Sequence, residues 1–133
     1  MELEDKNIEP KSGKILIVDD DKSVRDFLQL FLKKKGYDQI VLVEKGQDAF
    51  SFVEKEDIKL VLLDIKLPDM DGLEVLRRIK QIKKDTGVIM ITGFPEQQKA
   101  KQAIQEGAYD FIVKPFDLKY LELSVLTKIL LMV

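Results

Sequence analysis

Five short apolar segments alternate with five amphipathic segments along this chain, and the alternation strongly constrains its fold. The apolar segments are rich in β-branched residues, and they lie at residues 14–18, 39–43, 58–63, 88–91 and 110–113. Apolar residues recur at helical spacing between residues 20 and 36, from 46 to about 56, from 72 to about 84, at 97–107 and from 118 onward. Asp20 or Asp21 is expected to cap the first helical segment and Gly36 to end it, and Ala100, Ala103 and Ile104 of the fourth are expected to face inward. Strict alternation of this kind predicts a (βα)5 domain of the α/β class, a doubly wound five-stranded parallel sheet with right-handed crossovers and helices on both faces.

The length and the charge balance limit the domain organisation and the partners. The chain has 133 residues, the size of one ordinary domain. Residues 1–13 are polar and predict a flexible leader, so the folded domain is expected at residues 14–133. Lys and Arg number 22 against 24 for Asp and Glu, a net charge of -2. This near balance predicts that the domain does not bind nucleic acid directly, because phosphate binding needs a basic surface.

The chain contains no cysteine and no histidine. Disulfides, thiol chemistry, ordinary zinc sites and histidine-based catalytic triads are therefore excluded. A bound metal would need oxygen ligands, which favours Mg²⁺, Mn²⁺ or Ca²⁺. The first residues have no apolar signal core and no segment is long enough to span a membrane, so we expect no membrane association and a cytoplasmic location.

Chemically distinctive residues follow four of the five predicted strands. Asp19 and Asp20 follow the first strand, Asp64 the third, Thr92 the fourth and Lys114 the fifth. Ligands of open α/β sheets bind outside the carboxyl ends of the strands, so these side chains are expected in one crevice. Each alone has a simpler explanation, such as a helix cap or a turn. Their shared position relative to the strands favours a common site.

This set of side chains fits phosphoryl transfer. Carboxylates that lie close together repel one another, and Mg²⁺ relieves that repulsion. Asp64 is the candidate nucleophile, which would attack phosphorus to give an aspartyl phosphate. Mg²⁺, the Lys114 ammonium and the Thr92 hydroxyl would stabilise the charge on the phosphoryl oxygens.

These residues lead to a resemblance. Residues 15–21, 64–72, 91–93 and 107–116 resemble the receiver domain of bacterial two-component response regulators, and the likeness extends over about residues 14–130. The resemblance implies the flavodoxin-like strand order 2-1-3-4-5. It also implies that Asp64 accepts a phosphoryl group from a phosphohistidine on a sensor histidine kinase or a phosphotransfer protein.

The resemblance also assigns the metal ligands. It implies that Asp20 and Asp64 bind Mg²⁺, or Mn²⁺ in its place, directly. Asp19 would bind it mainly through water, and the backbone carbonyl of Lys66 would complete the protein ligands.

The remaining roles concern the phosphoryl group and the switch. The resemblance implies that Lys114 contacts the phosphoryl group and that its peptide bond to Pro115 is cis. Thr92 and Phe111 would move inward on phosphorylation. Their movement would change the face formed by the fourth helix, the fifth strand and the fifth helix, through which a homodimer could form.

Three other protein classes that use a similar sheet fit this sequence less well. A Mg²⁺-dependent aspartyl-phosphate phosphatase of the haloacid dehalogenase type needs a second Asp two residues after the nucleophile, where this chain has Lys66. In a flavodoxin-like electron carrier, Asp19 and the two acids that follow it would repel the cofactor phosphate. The phosphate-binding loop of NTPases is absent from the sequence.

The output of the switch is less constrained. The segment from residue 118 onward carries two apolar stripes, one for the sheet and one for a broader core contact or a partner. The last residues of the sequence are apolar, which favours the receiver part of a longer transcriptional regulator. The alternative is a stand-alone receiver that signals by protein contact or acts as a phosphorelay intermediate. In either case we expect a phosphoacceptor, not a turnover enzyme.

Overall fold

A computed structural model describes residues 13–93 and 97–131 of the chain. The strands are β1 (Lys14–Val18), β2 (Ile40–Val43), β3 (Ile58–Asp64), β4 (Gly87–Thr92) and β5 (Asp110–Val113). The helices are α1 (Lys22–Lys34), α2 (Gly46–Lys55), α3 (Gly72–Ile82), α4 (Gln97–Gln105) and α5 (Leu118–Leu131). Apart from Gly13, the predicted leader lies outside the described residues.

The five strands form one parallel sheet in the order β2-β1-β3-β4-β5, which confirms the predicted topology. The register aligns the carboxyl ends of the central strands, with Val18 beside Leu63 and Asp64 beside Ile91. The residues that follow β1 and end β3 therefore meet at one edge of the sheet.

The core lies in two layers, one on each face of the sheet. On one face, α2, α3 and α4 pack on alternate strand residues through buried side chains that include Ala49, Phe50, Val53, Leu73, Leu76, Ile79 and Ala103. On the other face, α1 and α5 pack on the intervening strand residues through Leu28, Leu32, Leu121 and Val125. The central strands are thus covered on both sides, as their apolar sequences predicted.

The ends of α1 and α3 are capped by side chains of the loops that precede them. Asp21 accepts a hydrogen bond from the Ser23 backbone N–H at 2.9 Å, and Asp71 accepts one from Leu73 at 2.8 Å. Gly36 follows α1 with φ of 99°, the left-handed conformation that glycine adopts after a helix. The predicted cap and stop signals of α1 are confirmed.

Three apolar side chains of the helices are partly exposed. Ile104 was predicted inward with Ala103, but it is 48% exposed while Ala103 is fully buried. Successive helical residues are rotated by about 100°, so the small Ala103 seats α4 on the sheet and Ile104 turns away. Leu118 and Phe27 are 44% and 40% exposed, and both line the same open depression at the surface.

Candidate functional site

Three carboxyl groups meet at the carboxyl edge of the sheet. Asp19 and Asp20 follow β1 and Asp64 ends β3, and oxygen atoms of all three lie within 4.8 Å of one another. Asp19 and Asp64 are buried, whereas Asp20 is exposed. The three predicted metal-binding carboxylates are therefore brought together, with one side of the cluster open to solvent.

Lys114 reaches into this acidic cluster from the end of β5. Its Nζ lies 2.9 Å from Asp19 Oδ2 and 3.5 Å from Asp64 Oδ2. Its backbone N–H donates to the Thr92 carbonyl at 2.7 Å, which ties the loop after β5 to β4. The Lys114–Pro115 peptide bond is cis, as predicted.

Negative charge is in excess in the cluster, since the Lys114 ammonium faces three carboxyl groups. Burial raises the pKa of Asp64, and the charge of Asp19 raises it further. Burial works against the Lys114 ammonium, but its hydrogen bond to Asp19 and the charge of Asp64 leave the Lys114 pKa raised. A divalent cation would relieve the carboxylate repulsion, and clustered carboxylate oxygens are the donors that Mg²⁺ prefers. The residues present therefore fit this ion.

The loop that follows β3 is folded back on itself. The Lys66 backbone N–H donates to Asp64 Oδ1 at 3.3 Å, and Lys66 forms an isolated antiparallel bridge with Asp71. The Lys66 carbonyl thus lies in a loop whose two ends are held together. Its role as a metal ligand stays a prediction.

Gly72 is the point of closest approach between this loop and β3. Its N–H donates to the Ile65 carbonyl at 2.7 Å. A Cβ atom at Gly72 would collide with the carbonyl oxygen of Asp64 and lie 2.6 Å from Ile65 Cα. The glycine of the 64–72 motif is therefore required by space beside the predicted phosphoacceptor.

Asp69 has a structural role that the sequence analysis missed. Its two carboxylate oxygens accept hydrogen bonds from the Gly46 and Gln47 backbone N–H groups, each at 2.9 Å. The residue before α2, Lys45, forms no side-chain cap. Asp69 thus caps α2 from another loop, and only its place after a proline hinted at a structural role.

Arg25 is a second residue that was missed. Its guanidinium donates to the Asp19 backbone carbonyl at 2.8 Å, and its side chain is 12% exposed. Arg25 therefore holds the loop after β1 in place from within α1. No local sequence signal separates this arginine from an ordinary polar residue of the helix.

The two predicted switch residues lie on neighbouring strands. Thr92 ends β4, is 2% exposed and pairs with Val113. Phe111 lies in β5, pairs with Met90 and packs partly buried against the layer of α2, α3 and α4. Both strands lie beyond β3 in the sheet, and Lys114 follows the outer one. Inward movement of the two side chains stays a prediction.

An exposed apolar surface adjoins the acidic cluster. We call it the Phe27 patch, and it comprises Val24, Phe27, Phe116 and Leu118 around a depression of about 410 Å³ that Lys114 also lines. The rings of Phe27 and Phe116 are stacked with centroids 5.7 Å apart. A protein that reached Lys114 would meet this surface.

In the part of the chain that the structure describes, no helix combines the length and the apolar character needed to cross a membrane.

Comparison with known proteins agrees with this architecture. Residues 15–126 match the family model described as the response regulator receiver domain. The chain is 40% identical to the chemotaxis protein CheY of Bacillus subtilis, over 77% of this chain and 86% of that one. It is 41% identical to sporulation initiation phosphotransferase F of the same organism, over 79% and 84% of the two chains.

Solved structures show the same likeness. A CheY-like receiver domain from Methanospirillum hungatei superposes with a TM-score of 0.85 at 30% identity, over 90% of this chain and 95% of that one. The receiver domain of a putative Luxo repressor protein from Vibrio parahaemolyticus gives 0.84 at 36% identity, over 94% and 93%. With the strand order, the acidic cluster and these matches in agreement, the chain belongs to the response regulator receiver domain family of two-component signalling systems.

Proposed function

We propose that this domain is a phosphorylation-driven switch in which Asp64 accepts a phosphoryl group from a phosphohistidine on a sensor histidine kinase or a phosphotransfer protein. The observation that carries the proposal is the cluster of Asp19, Asp20 and Asp64 with the Lys114 ammonium at 3.5 Å from Asp64. Membership of the receiver domain family supports it. The position of Asp64 supports it as well, because α/β proteins of this kind bind ligands at the carboxyl edge of the sheet.

Mg²⁺, or Mn²⁺ in its place, would be held by Asp19, Asp20, Asp64 and the Lys66 carbonyl and would offset the negative charge of the pocket and of the phosphoryl oxygens. A carboxylate oxygen of Asp64 attacks phosphorus, and the bond from phosphorus to the donor imidazole breaks with its electron pair left on nitrogen. An ionised carboxylate needs no general base for this attack. Lys114 and the Thr92 hydroxyl stabilise the negative charge of the transferred group.

The direct test is the intact mass of the protein after incubation with acetyl phosphate, with and without Mg²⁺. We expect a gain of one phosphoryl group that needs Mg²⁺ and is reversed by hydroxylamine. Asp64→Asn should show no gain, whereas Asp38→Asn, which alters an exposed aspartate elsewhere, should behave like the wild type. A gain of equal size in Asp64→Asn would overturn the proposal.

We propose that phosphorylation acts on the face formed by α4, β5 and α5 through Thr92 and Phe111. This face exposes apolar side chains at Ile104, Val113 and Leu123, which are 48%, 37% and 59% exposed. A homodimer through this face is the proposed consequence, and sedimentation of the phosphorylated and unphosphorylated protein tests it. Equal mass in both states would contradict it.

The output is proposed to be transcriptional, with this domain as the receiver part of a longer regulator. One relative supports this reading: the transcriptional regulatory protein SrrA of Staphylococcus aureus is 34% identical over 86% of this chain and 46% of its own length. The match to sporulation initiation phosphotransferase F supports the alternative of a phosphorelay intermediate. Transfer of the phosphoryl group from Asp64 onward to a histidine of a phosphotransfer protein would favour the relay.

Several narrower predictions accompany this proposal. The domain is proposed to catalyse the gain and loss of its own phosphoryl group at Asp64 and not to turn over a substrate. A phosphatase is disfavoured, because Lys66 lies at the position where such enzymes need an acid. Direct nucleic acid binding is not expected at this net charge. The domain limits at residues 14–133 and a cytoplasmic location stay predictions.

A further inference from the structure

A second concave surface lies at the opposite edge of the sheet from the acidic cluster. It is an open cleft of about 540 Å³ at the amino ends of β3 and β4, bounded also by the end of α3 and by α5. We call it the lysine cleft, and its charged lining residues are Asp57, Lys59, Lys80, Lys83, Lys84, Asp85 and Lys128. None of the roles proposed for Asp64 involves this surface.

The lysine cleft is strongly basic in a chain that is slightly acidic overall. Five lysines and two aspartates line it, an excess of three positive charges, while the whole chain has a net charge of -2. The negative end of the α3 dipole accounts for cations near the end of that helix. It does not account for Lys59 and Lys128, which β3 and α5 bring to the same cleft.

Two of the five ammonium groups are held in place by the fold. Lys80 Nζ donates to the backbone carbonyls of Lys84 and Thr86 at 2.8 and 2.9 Å. Lys128 Nζ lies 5.0 Å from the centroid of the Tyr109 ring, which favours its position over the aromatic face.

Gly87 leaves the space that the Lys128 side chain occupies, since a Cβ atom there would lie 3.0 Å from Lys128 Cγ. These two lysines are therefore pre-organised, which lowers the entropy cost of binding.

The other three lysines retain capacity to bind an anion. Within residues 13–93 and 97–131, neither Lys83 nor Lys84 forms a side-chain ion pair, and Lys59 pairs with the exposed Asp57 at 3.3 Å. Burial lowers the pKa of Lys80, and the neighbouring charge of Lys128 lowers it further. The cations of the cleft thus repel one another, and a bound anion would relieve this repulsion.

We propose that the lysine cleft binds a soluble anion with several phosphate charges, of the tripolyphosphate or nucleoside triphosphate type. The lysines are supplied by separate elements around a cleft of about 540 Å³, and a chain of phosphates offers several anionic groups to such a set where a single carboxylate or phosphate offers one. Lysine ammonium groups bind phosphate as point charges and need no fixed planar geometry. Among the described residues that line the cleft, none is aromatic, so the phosphates and not a base are recognised.

Two-dimensional NMR titration of the full chain tests the proposal, in Mg²⁺-free buffer with inorganic tripolyphosphate, ATP and adenosine as probes. We expect tripolyphosphate and ATP to shift the amides around residues 57–59, 83–87 and 128, with similar affinities and weaker binding as salt increases. Adenosine should produce no shifts there. Binding of ATP alone would show recognition of the base and would overturn recognition through phosphate charge.

Charge-matched variants separate a built site from overall charge. The double variant Lys83→Ala/Lys84→Ala removes two positive charges from the cleft, where Lys83 is half-buried and Lys84 exposed. Its control, Lys33→Ala/Lys34→Ala, removes the same charge at the end of α1. We expect the first pair to weaken tripolyphosphate binding about tenfold and the second to leave it nearly unchanged. Equal weakening by both pairs would overturn the proposal, because binding would then follow net charge alone.

A third variant and a competing ligand complete the test. Lys128→Ala should weaken binding by removing a pre-organised cation, and an unchanged affinity in a folded protein would contradict the assignment. Displacement of tripolyphosphate by a short DNA duplex at far lower concentration would show that a nucleic acid is the better ligand and would overturn the soluble-anion proposal. Phosphorylation at Asp64 should be unaffected in Lys83→Ala/Lys84→Ala, so this test is independent of the proposed function.

Discussion

At the scale of single residues, the folded protein disfavours the ionised form of the Asp64 carboxyl group. Its carboxyl group is buried beside Asp19, and both burial and the charge of Asp19 raise its pKa above the ordinary value. A raised folded-state pKa means that the folded protein binds the Asp64 proton more tightly than the unfolded chain does. The stability that this proton supplies is present at low pH and is lost as pH rises through the folded pKa.

Asp64→Asn is therefore expected to stabilise the protein at neutral pH without Mg²⁺, raising the melting temperature by a few degrees. The advantage should shrink as pH falls through the raised folded-state pKa of Asp64 and vanish below the ordinary aspartate pKa of about 3.9, where Asp64 is protonated in both states. Added Mg²⁺ should raise the melting temperature of the wild type more than that of the variant. A variant that is less stable than the wild type at neutral pH without Mg²⁺ would contradict this account.

Tyr120 is a second residue with a directional pH effect. Its hydroxyl donates to both oxygens of Asp110, at 2.9 and 2.7 Å, and this hydrogen bond raises the pKa of Tyr120 to about 12. Asp110→Asn should move that pKa down toward 10, and 13C NMR of the phenol ring would measure the change. The Tyr37 pKa, which its own burial raises, should not change and serves as the control.

The raised pKa of Tyr120 also determines how the stability of the protein changes with pH. A tyrosine with a raised folded-state pKa supplies stability that is complete below its unfolded pKa of about 10 and is lost as pH rises toward 12. Asp110→Asn should therefore be less stable than the wild type at neutral pH, and the difference should narrow in alkali. Because Ser124 also donates to Asp110 at 2.7 Å, Ser124→Ala should give part of the same loss.

At the scale of elements, the junction of β3 and α3 is where the fold and the site constrain each other most tightly. Gly72 begins α3 directly against the Asp64 carbonyl. Gly72→Ala should destabilise the protein by about 1–3 kcal/mol, since the added methyl group must displace backbone. Chemical denaturation measures this loss, and Gly93→Ala, where a Cβ atom meets nothing within 4 Å, is the matched control.

Gly72→Ala should also slow phosphorylation by acetyl phosphate at temperatures where the variant is fully folded. The displaced backbone belongs to the phosphoacceptor itself, so its carboxylate would move relative to Lys114. Wild-type rates in a destabilised variant would show that the glycine serves stability alone.

Sequence patterns predicted the elements well where a local signal was strong. The strand positions agree with the structure to within one residue at each end, because β-branched apolar runs bounded by turns are hard to place elsewhere. The inward prediction for Ile104 was wrong, because in a nine-residue helix seated through an alanine the larger apolar side chain did not mark the buried face. The capping of α2 by Asp69 joins residues 23 apart in sequence and leaves no local pattern.

At the scale of the whole molecule, we expect the proposed protein donor to contact the Phe27 patch, because Lys114 lines the same depression. Phe27→Ala should slow transfer from a histidine kinase autophosphorylated with ATP by about tenfold, because a large aromatic side chain that becomes buried at an interface contributes strongly to binding. Transfer from acetyl phosphate should be unchanged, since a small donor needs no docking surface. Leu30→Ala is the control, as Leu30 is 55% exposed on the same helix but does not line the patch.

Equal slowing by Phe27→Ala and Leu30→Ala would show that the helix surface as a whole, and not the patch, governs transfer. Slowing of the acetyl phosphate reaction by Phe27→Ala would instead indicate an effect on Lys114 or on folding.

The acidic site was more predictable from sequence than the lysine cleft. Asp19, Asp20 and Lys114 each follow a strand and Asp64 ends one, and a parallel sheet brings such positions to one edge whatever the details of packing. The lysines of the cleft lie at positions 59, 80, 83, 84 and 128, in a strand, two helices and the loop after α3, and their convergence depends on helix packing. The role of Arg25 could not be predicted either, since its partner is a backbone carbonyl six residues away, a group that every residue has.

The measurement that tests the central claim most directly is the location of the phosphoryl group. The protein is treated with acetyl phosphate and Mg²⁺, the acyl phosphate is reduced with borohydride, and the peptides are mapped by mass spectrometry. We predict conversion of Asp64 alone to homoserine, only in the sample with Mg²⁺. Conversion of another carboxylate, or of Asp64 to the same extent without Mg²⁺, would contradict the account.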